Sequence, residues 1–139
     1  MDLFTRSIRG WELSDNMSEE LSKAALIRAL EAHRPEIHHS DQGVQYAATG
    51  YVALLHSVQA QVSMAAQGTP GENAYAERLM RTLKQEEVSL HDYEDLYDAR
   101  AHIAHFLNHV SMTKRVHSAL TYLTPAEFEA QWSREHFET

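Results

Sequence analysis

The spacing of apolar residues changes several times along this 139-residue chain, and each change predicts a new element. Apolar and polar positions partly alternate over residues 6–14, which predicts a first strand. A helical stripe then runs to about Ala32, with Asn16 as its predicted N-cap. Two further short strands are predicted over residues 36–40 and 59–65, with another helical stripe between them.

The second half of the chain is predicted to be mainly helical. The clearest amphipathic pattern is NAYAERLMRTLKQEEV (73–88), which places Glu77 on the polar face. A second stripe covers residues 96–110, and a last helix begins at Thr124 with Pro125 in its first turn. The order of elements predicts an α/β fold with a small mixed sheet, flanking helices and a helical C-terminal part.

Composition narrows the class of protein. A chain of this length fits one domain, so we treat 1–139 as a single unit. There is no cysteine, which excludes disulfides and thiolate metal sites. No apolar run is long enough to span a membrane, and the first residues lack the apolar region of a signal peptide. We therefore expect a cytoplasmic protein that does not contact membranes.

Charge argues against non-specific nucleic-acid binding over the whole surface, because the formal net charge is −8. Local basic clusters nevertheless occur on a predicted helix and on the segment before the last helix. A solvated helix face is the ordinary interpretation of such clusters, and phosphate binding is the alternative. The residues concerned are Arg78, Arg81, Lys84, Lys114 and Arg115.

Two carboxylates stand out by position. Asp41 follows the strand predicted over residues 36–40, and Glu77 lies in the first turns of the clearest helix. Oxygen ligands of this kind suit Mg²⁺, which binds one or two carboxylates together with water and phosphate. From the residues alone, Asp41 could equally be a turn residue, and Glu77 could simply pair with Arg81 along the helix.

Three stretches of the sequence favour metal binding by Asp41 and Glu77. HSDQGVQYAA, GENAYAERLMRTLKQEEV and KRVHSALTYLTPAEFE closely resemble the catalytic core of bacterial insertion-sequence transposases of the retroviral-integrase type. The resemblance implies a ribonuclease H-like fold and a DDE active site that cuts and joins DNA with two Mg²⁺ or Mn²⁺ ions. By motif match, Asp41 is the second acidic residue and Glu77 the third of the family's D-35-E arrangement.

The resemblance also implies partners for other residues. Arg78, Arg81 and Lys84 would border DNA phosphates, as would Lys114 and Arg115 in the segment before the final helix. Transposon ends and target DNA would be the substrates of DNA transposition and integration. Asn73 matches an asparagine that precedes the catalytic glutamate by one helical turn.

One departure from the family is expected to matter. The family's first catalytic aspartate lies upstream of a DLFTR-type motif, and this chain begins at that motif, where Asp2 matches the motif's own acidic residue. We therefore expect an N-terminally truncated ribonuclease H-like core that is inactive in isolation. Strand edges left exposed by the truncation predict a homodimer. The alternative is a non-catalytic DNA-binding or self-associating transposase remnant.

The ten histidines offer a third and weaker hypothesis, a divalent-metal binder unrelated to DNA. His102, His105 and His109 share one flank of a predicted helix, and His38 and His39 adjoin Asp41. Because consecutive strand residues point to opposite faces, at most one of His38 and His39 can face a site at Asp41. Surface histidines on an amphipathic helix need no ligand.

Overall fold

The computed structural model of the protein describes residues 1–137. The chain forms two compact units, one made of Met1–Ile8 and the chain from Arg81 onward, the other of Arg9–Met80. The single domain expected from chain length stays a prediction, because compact units of this kind can belong to one domain. The boundary falls inside one continuous helix.

The Arg9–Met80 unit contains the sheet. Its elements are helix α1 (Glu19–Leu30), strand β1 (Ile37–Ser40), helices α2 (Val44–Ala47) and α3 (Thr49–Ser57), and strand β2 (Gln61–Met64). The two strands are parallel, in a register that pairs Ile37 with Gln61 and Ser40 with Met64. Parallel strands cannot be joined by a tight turn, so α2 and α3 form the crossover between them.

Apolar packing in this unit joins α1 to α3. Leu26, Tyr51, Leu55 and Ala60 form the buried cluster, and Leu55 has no exposed surface. The predicted helical stripe around Tyr51 and Leu55 is therefore confirmed, as are the two strands predicted over residues 36–40 and 59–65.

The strand predicted over residues 6–14 is wrong, because these residues form no strand. The sheet within residues 1–137 has two parallel strands, so the expected mixed sheet is also wrong. The backbone at Gly10 instead packs on α1: a Cβ atom built there would lie 2.4 Å from the Ala25 carbonyl oxygen and 2.9 Å from Ala29 Cβ.

The predicted cap of α1 is wrong as well. Ser18, with extended backbone angles, occupies the N-cap position instead of Asn16, and Glu19 begins the helix. Ser18 makes no side-chain cap hydrogen bond. Glu19 and Glu20 in the first turn supply the negative charge that a helix N-terminus favours.

The second unit is helical. It holds the end of helix α4 (Ala74–Glu86), helix α5 (Leu96–His105), which continues through a π-helical segment (Phe106–Val110) into the short α6 (Ser111–Thr113), and helix α7 (Pro125–Phe137). Its buried apolar residues are Ala99, Ile103, Phe106, Leu107 and Leu120. These helices agree with the stripes predicted at 73–88 and 96–110 and with the start at Thr124.

Local caps fix the ends of this unit. Thr124 and Glu127 form a capping box, since the Glu127 carboxylate accepts from Thr124 N–H and the Thr124 hydroxyl accepts from Glu127 N–H. Asp2 accepts from the backbone N–H groups of Phe4 and Thr5, which makes it a turn-capping residue.

Within residues 1–137, none of the helices combines the length and the apolarity that crossing a bilayer would require.

Candidate functional site

Asp41 lies at the carboxyl end of β1, where the first parallel strand stops. Its side chain is exposed, and its Oδ1 accepts a hydrogen bond from Gly43 N–H at 2.9 Å. A Cβ atom built at Gly43 would lie 2.9 Å from the same carboxylate oxygen. The Asp41 carboxylate would have to shift to admit a side chain at position 43, so glycine favours the observed orientation of Asp41.

His39 connects strand β1 to the turn that precedes helix α4. Its Nδ1 lies 2.9 Å from Ser63 Oγ on β2, and its Nε2 lies 2.9 Å from the carbonyl oxygen of Glu72. A carbonyl can only accept, so Nε2 carries the proton, and in the neutral ring Nδ1 accepts from Ser63. The imidazole thus links both strands to the residue that comes two positions before α4.

The loop between β2 and α4 is held at a second point. The Glu72 carboxylate accepts from Ala66 N–H at 2.7 Å, which ties the start of the loop to its end. Glu72 belongs to a 3₁₀ turn (Pro70–Asn73) that leads directly into α4. The N-terminus of α4 is therefore attached to the end of the sheet through both the backbone and the side chain of Glu72.

Glu77 lies in the first turn of α4 with its carboxylate exposed. Negative charge is favourable there because of the helix dipole. The segments that carry Asp41 and Glu77 belong to the same unit, and His39, two residues before Asp41, bonds to Glu72, five residues before Glu77. The connection through His39 and Glu72 was not predicted from the sequence, although the position of His39 beside Asp41 was a usable signal.

The predicted basic residues differ in their surroundings. Arg78, Arg81 and Lys84 are exposed along α4, and Lys114 is exposed after α6. Arg115 is half-buried and forms an ion pair with Glu86. Its charge is therefore partly neutralised within the protein.

His38 has a different environment from its neighbour. Its Nε2 lies 2.9 Å from the hydroxyl of buried Tyr51 on α3, and the two rings meet edge to face. Burial lowers the pKa of His38, with smaller contributions from nearby charges including His39. The different partners of His38 and His39 agree with the prediction that at most one of them faces Asp41.

A second group of ionisable side chains occurs in the other unit. Glu87, His91 and His102 each place one potential ligand atom within 4.8 Å of the others. The Tyr93 hydroxyl donates to Glu87 Oε1 at 3.1 Å, and desolvation together with that carboxylate raises the pKa of Tyr93 to about 12. His102 is thus grouped with Glu87 and His91, whereas the sequence had grouped it with His105 and His109.

Comparison with known sequences identifies the family. The profile described as Integrase core domain matches residues 1–70, and a second profile with the same description matches residues 58–125. The chain belongs to the integrase core family. Members of this family depend on metal ions in general, and the exposed carboxylates of Asp41 and Glu77 are hard oxygen donors of the kind that Mg²⁺ and Mn²⁺ bind.

Several curated proteins resemble this integrase core along most of its length. The transposase for insertion sequence element IS904 of Lactococcus lactis subsp. lactis (strain IL1403) is 36% identical over 132 residues, which are 93% of this chain and 52% of that protein. An uncharacterized 31 kDa protein of insertion element IS600 from Shigella sonnei is 31% identical over 94% of this chain and 49% of its own length.

A third relative is transposase InsF for insertion sequence IS3fB of Escherichia coli (strain K12). It is 32% identical over 134 residues, which are 94% of this chain and 46% of that protein. The integrase core thus spans about half the length of the curated relatives it matches. The ribonuclease H-like fold that the family implies agrees with the parallel β1–β2 pair and its helical crossover.

Proposed function

We propose that this chain is the part of a DDE-type transposase core that supplies the second and third catalytic carboxylates, Asp41 and Glu77. The reaction would be metal-dependent phosphodiester cleavage and strand transfer during DNA transposition. The observation that carries the proposal is the attachment of α4 to the carboxyl end of β1 through His39 and Glu72, because it joins the two motif segments. The transposase relatives support the same assignment.

Asp41 and Glu77 would hold Mg²⁺ or Mn²⁺. Both side chains are exposed, so water and phosphate oxygens have room to complete an octahedral shell. When bound, such ions stabilise charge on the attacking and leaving oxygens. The protein contributes placement: Gly43 N–H orients the Asp41 carboxylate, and the first turn of α4 favours an ionised Glu77.

DNA would be bound by exposed cations on α4 and on the segment before the last helix. Arg78, Arg81 and Lys84 lie along α4, and Lys114 is a further exposed cation. Each phosphate contact releases counterions and makes affinity depend on salt. Arg115 would contribute less, because Glu86 already pairs with it. The net charge of −8 favours a contact confined to these residues.

Two of three motif acids are assigned within residues 1–139, and residues 1–139 by themselves would therefore lack strand-cleavage activity. A second candidate function is self-association as a non-catalytic remnant. It is supported by α4, none of whose described residues is buried, and by Tyr75 and Met80, which are 48% and 50% exposed. Covering these apolar side chains would favour a homodimer.

Hydroxyl-radical mapping tests the metal site directly. Fe²⁺ in place of Mg²⁺, with ascorbate and peroxide, cuts a polypeptide backbone next to the ion. We expect cuts near both Asp41 and Glu77 in the intact chain and their joint loss in Asp41→Asn. Glu135→Gln, which changes an exposed acid elsewhere, should leave the pattern unchanged. Cuts near only one of the two residues would exclude a shared ion.

A DNA assay tests the function. Labelled duplex incubated with Mn²⁺ and this polypeptide should be bound but remain uncut. Metal-dependent nicking that disappears in Glu77→Gln would show that a further acid completes the site within residues 1–139. Absence of binding at low salt would contradict the proposed DNA contact.

A further inference from the structure

Glu87 lies at a turn that gathers ionisable side chains. It follows α4 directly, and a 3₁₀ turn (Val88–Leu90) separates it from His91. Helix α5 then begins after Asp95, whose carboxylate accepts from Asp98 N–H at 2.8 Å. This short, capped connection turns the chain back, so His102 of α5 reaches the same carboxylate as His91.

The two distances from the Glu87 carboxylate fit a tetrahedral metal site, and all three ligand atoms lie within 4.8 Å of one another. Glu87 Oε1 lies 3.2 Å from His91 Nδ1 and 3.5 Å from His102 Nδ1. In a tetrahedral zinc site with ligand bonds near 2 Å, neighbouring ligand atoms are about 3.3 Å apart. The carboxylate is buried, whereas both imidazoles are partly open to solvent. A water molecule can therefore reach the fourth position.

Neighbouring groups orient the three side chains. Tyr93 donates its hydroxyl hydrogen to Glu87 Oε1, and its ring is stacked with that of His91 at an interplanar angle of 13°. The second ring nitrogen of His102, Nε2, lies 3.6 Å from Asp98 Oδ1. A carboxylate behind a metal-binding histidine is the usual arrangement that fixes the ring and its tautomer.

We propose that Glu87, His91 and His102 form a binding site for a Zn²⁺-class transition-metal ion. Two imidazole nitrogens with one carboxylate select such ions over Mg²⁺, which takes oxygen ligands. His91 Nδ1 lies 2.8 Å from the Glu87 carbonyl oxygen, to which it can donate its hydrogen. Binding through Nδ1 replaces this hydrogen bond and leaves the ring proton on Nε2, so the imidazole stays neutral.

This site is separate from the proposed catalytic carboxylates. Glu87, His91 and His102 all belong to the unit that begins at Arg81, whereas Asp41 and Glu77 belong to Arg9–Met80. The ion would link the end of α4 to α5 within one unit. Its expected role is therefore to stabilise that helical unit, since an ion that binds only the folded state raises stability.

Calorimetric titration of the 139-residue chain with ZnCl₂ tests the proposal. We expect one Zn²⁺ per chain and binding weakened by at least about tenfold in His91→Ala and in His102→Ala. His105→Ala and His109→Ala are matched controls, because these exposed histidines lie close in sequence and their rings are adjacent to each other at 5.1 Å. Neither control should change the affinity.

Co²⁺ provides a second readout, since four-coordinate Co²⁺ gives intense visible bands and six-coordinate Co²⁺ does not. These bands should appear with the intact chain and with Asp41→Asn/Glu77→Gln, and should vanish in His91→Ala/His102→Ala. Circular dichroism verifies that the double histidine variant is folded. Two results would overturn the proposal: zinc binding by the folded double histidine variant, or no zinc binding by the folded intact chain. Either result would show that the cluster is only a hydrogen-bond network.

Discussion

His39 and Glu72 are joined by a hydrogen bond of 2.9 Å from an imidazole Nε2 to a backbone carbonyl oxygen. This bond connects the strand that leads to Asp41 with the turn that leads to Glu77. Replacing His39 by alanine also removes its bond to Ser63. The connection can therefore be broken without changing either carboxylate.

We expect His39→Ala to lower the free energy of unfolding by about 1 kcal/mol per lost hydrogen bond, and to weaken Mn²⁺ binding as well. The weakening follows because α4 would then be attached to the end of the sheet only through the Glu72 carboxylate. Urea unfolding and calorimetric titration measure the two effects. His56→Ala, an exposed histidine on α3, is the control. Normal Mn²⁺ affinity in a destabilised His39→Ala would show that the bond serves stability alone.

Direct removal of the carboxylates should abolish Mn²⁺ binding. We expect a weak, millimolar-range titration event in the intact chain, because two carboxylates leave most of the shell to water. Asp41→Asn and Glu77→Gln should each eliminate it, whereas Asp15→Asn, an exposed aspartate outside the motif, should not. A tight site, or one that persists in both variants, would contradict the assignment.

DNA affinity should depend on the exposed cations of α4. Arg81→Gln/Lys84→Gln should weaken binding and reduce the slope of log affinity against log salt by about 0.9 for each lost phosphate contact. Fluorescence anisotropy of a labelled duplex at several salt concentrations gives this slope. Arg34→Gln removes an exposed cation outside the proposed contact and should leave the slope unchanged. Equal changes in both variants would indicate a non-specific charge effect.

Asp41 and Glu77 stand out in the sequence because their signals are local. A carboxylate after a short strand and a second in the first turn of an amphipathic helix can both be recognised from neighbouring residues, and the structure has both elements. The attachment between them could not be predicted, since it depends on a side chain meeting a backbone carbonyl far away in the sequence. The pairing of His102 with Glu87 and His91 was missed for a related reason: helical spacing alone favoured His105 and His109.

The failed strand prediction has a similar cause. Partial alternation over residues 6–14 satisfied a strand pattern, but a strand also requires a neighbour with free backbone groups. Close packing of Gly10 on α1 is a tertiary contact that alternation cannot reveal. The Thr124–Glu127 capping box, in contrast, is local, because a glutamate follows the threonine by three residues, but only the helix start at Thr124 was predicted.

Protonation of His38 should destabilise the protein. Burial lowers the pKa of His38 in the folded state from the ordinary 6.5, so the unfolded chain takes up a proton first as the pH falls. The free energy of unfolding should therefore be independent of His38 well above pH 6.5 and should decrease below it. His117, whose pKa is also lowered by burial and by Arg115, contributes in the same direction.

Unfolding by urea from about pH 8 to about pH 5 measures this dependence. His38→Gln keeps an acceptor for the Tyr51 hydroxyl but cannot be protonated, so its stability should decrease less on acidification than that of the intact chain. His33→Gln, an exposed histidine, should follow the intact chain. An unchanged pH dependence in His38→Gln would show that other groups cause the acid sensitivity.

Self-association should depend on the exposed apolar side chains of α4. We expect sedimentation across a wide concentration range to reveal a monomer–dimer equilibrium, shifted toward monomer by Tyr75→Ser/Met80→Ser. Val44→Ser, at an apolar residue that is 86% exposed outside α4, is the matched control. A strictly monomeric chain would contradict the proposed homodimer and leave the α4 face for another partner.

The contact between Gly10 and α1 has a consequence for how this family member can vary. Ala25 and Ala29 present almost no side chain to the glycine, so the approach is limited by backbone atoms that cannot rotate away. In a library of random substitutions, only variants with glycine at position 10 should fold. Variants with a residue larger than alanine at position 29 should not fold, and no change at position 10 should restore folding. Substitutions in this segment would then be tolerated only at the residues on either side of Gly10.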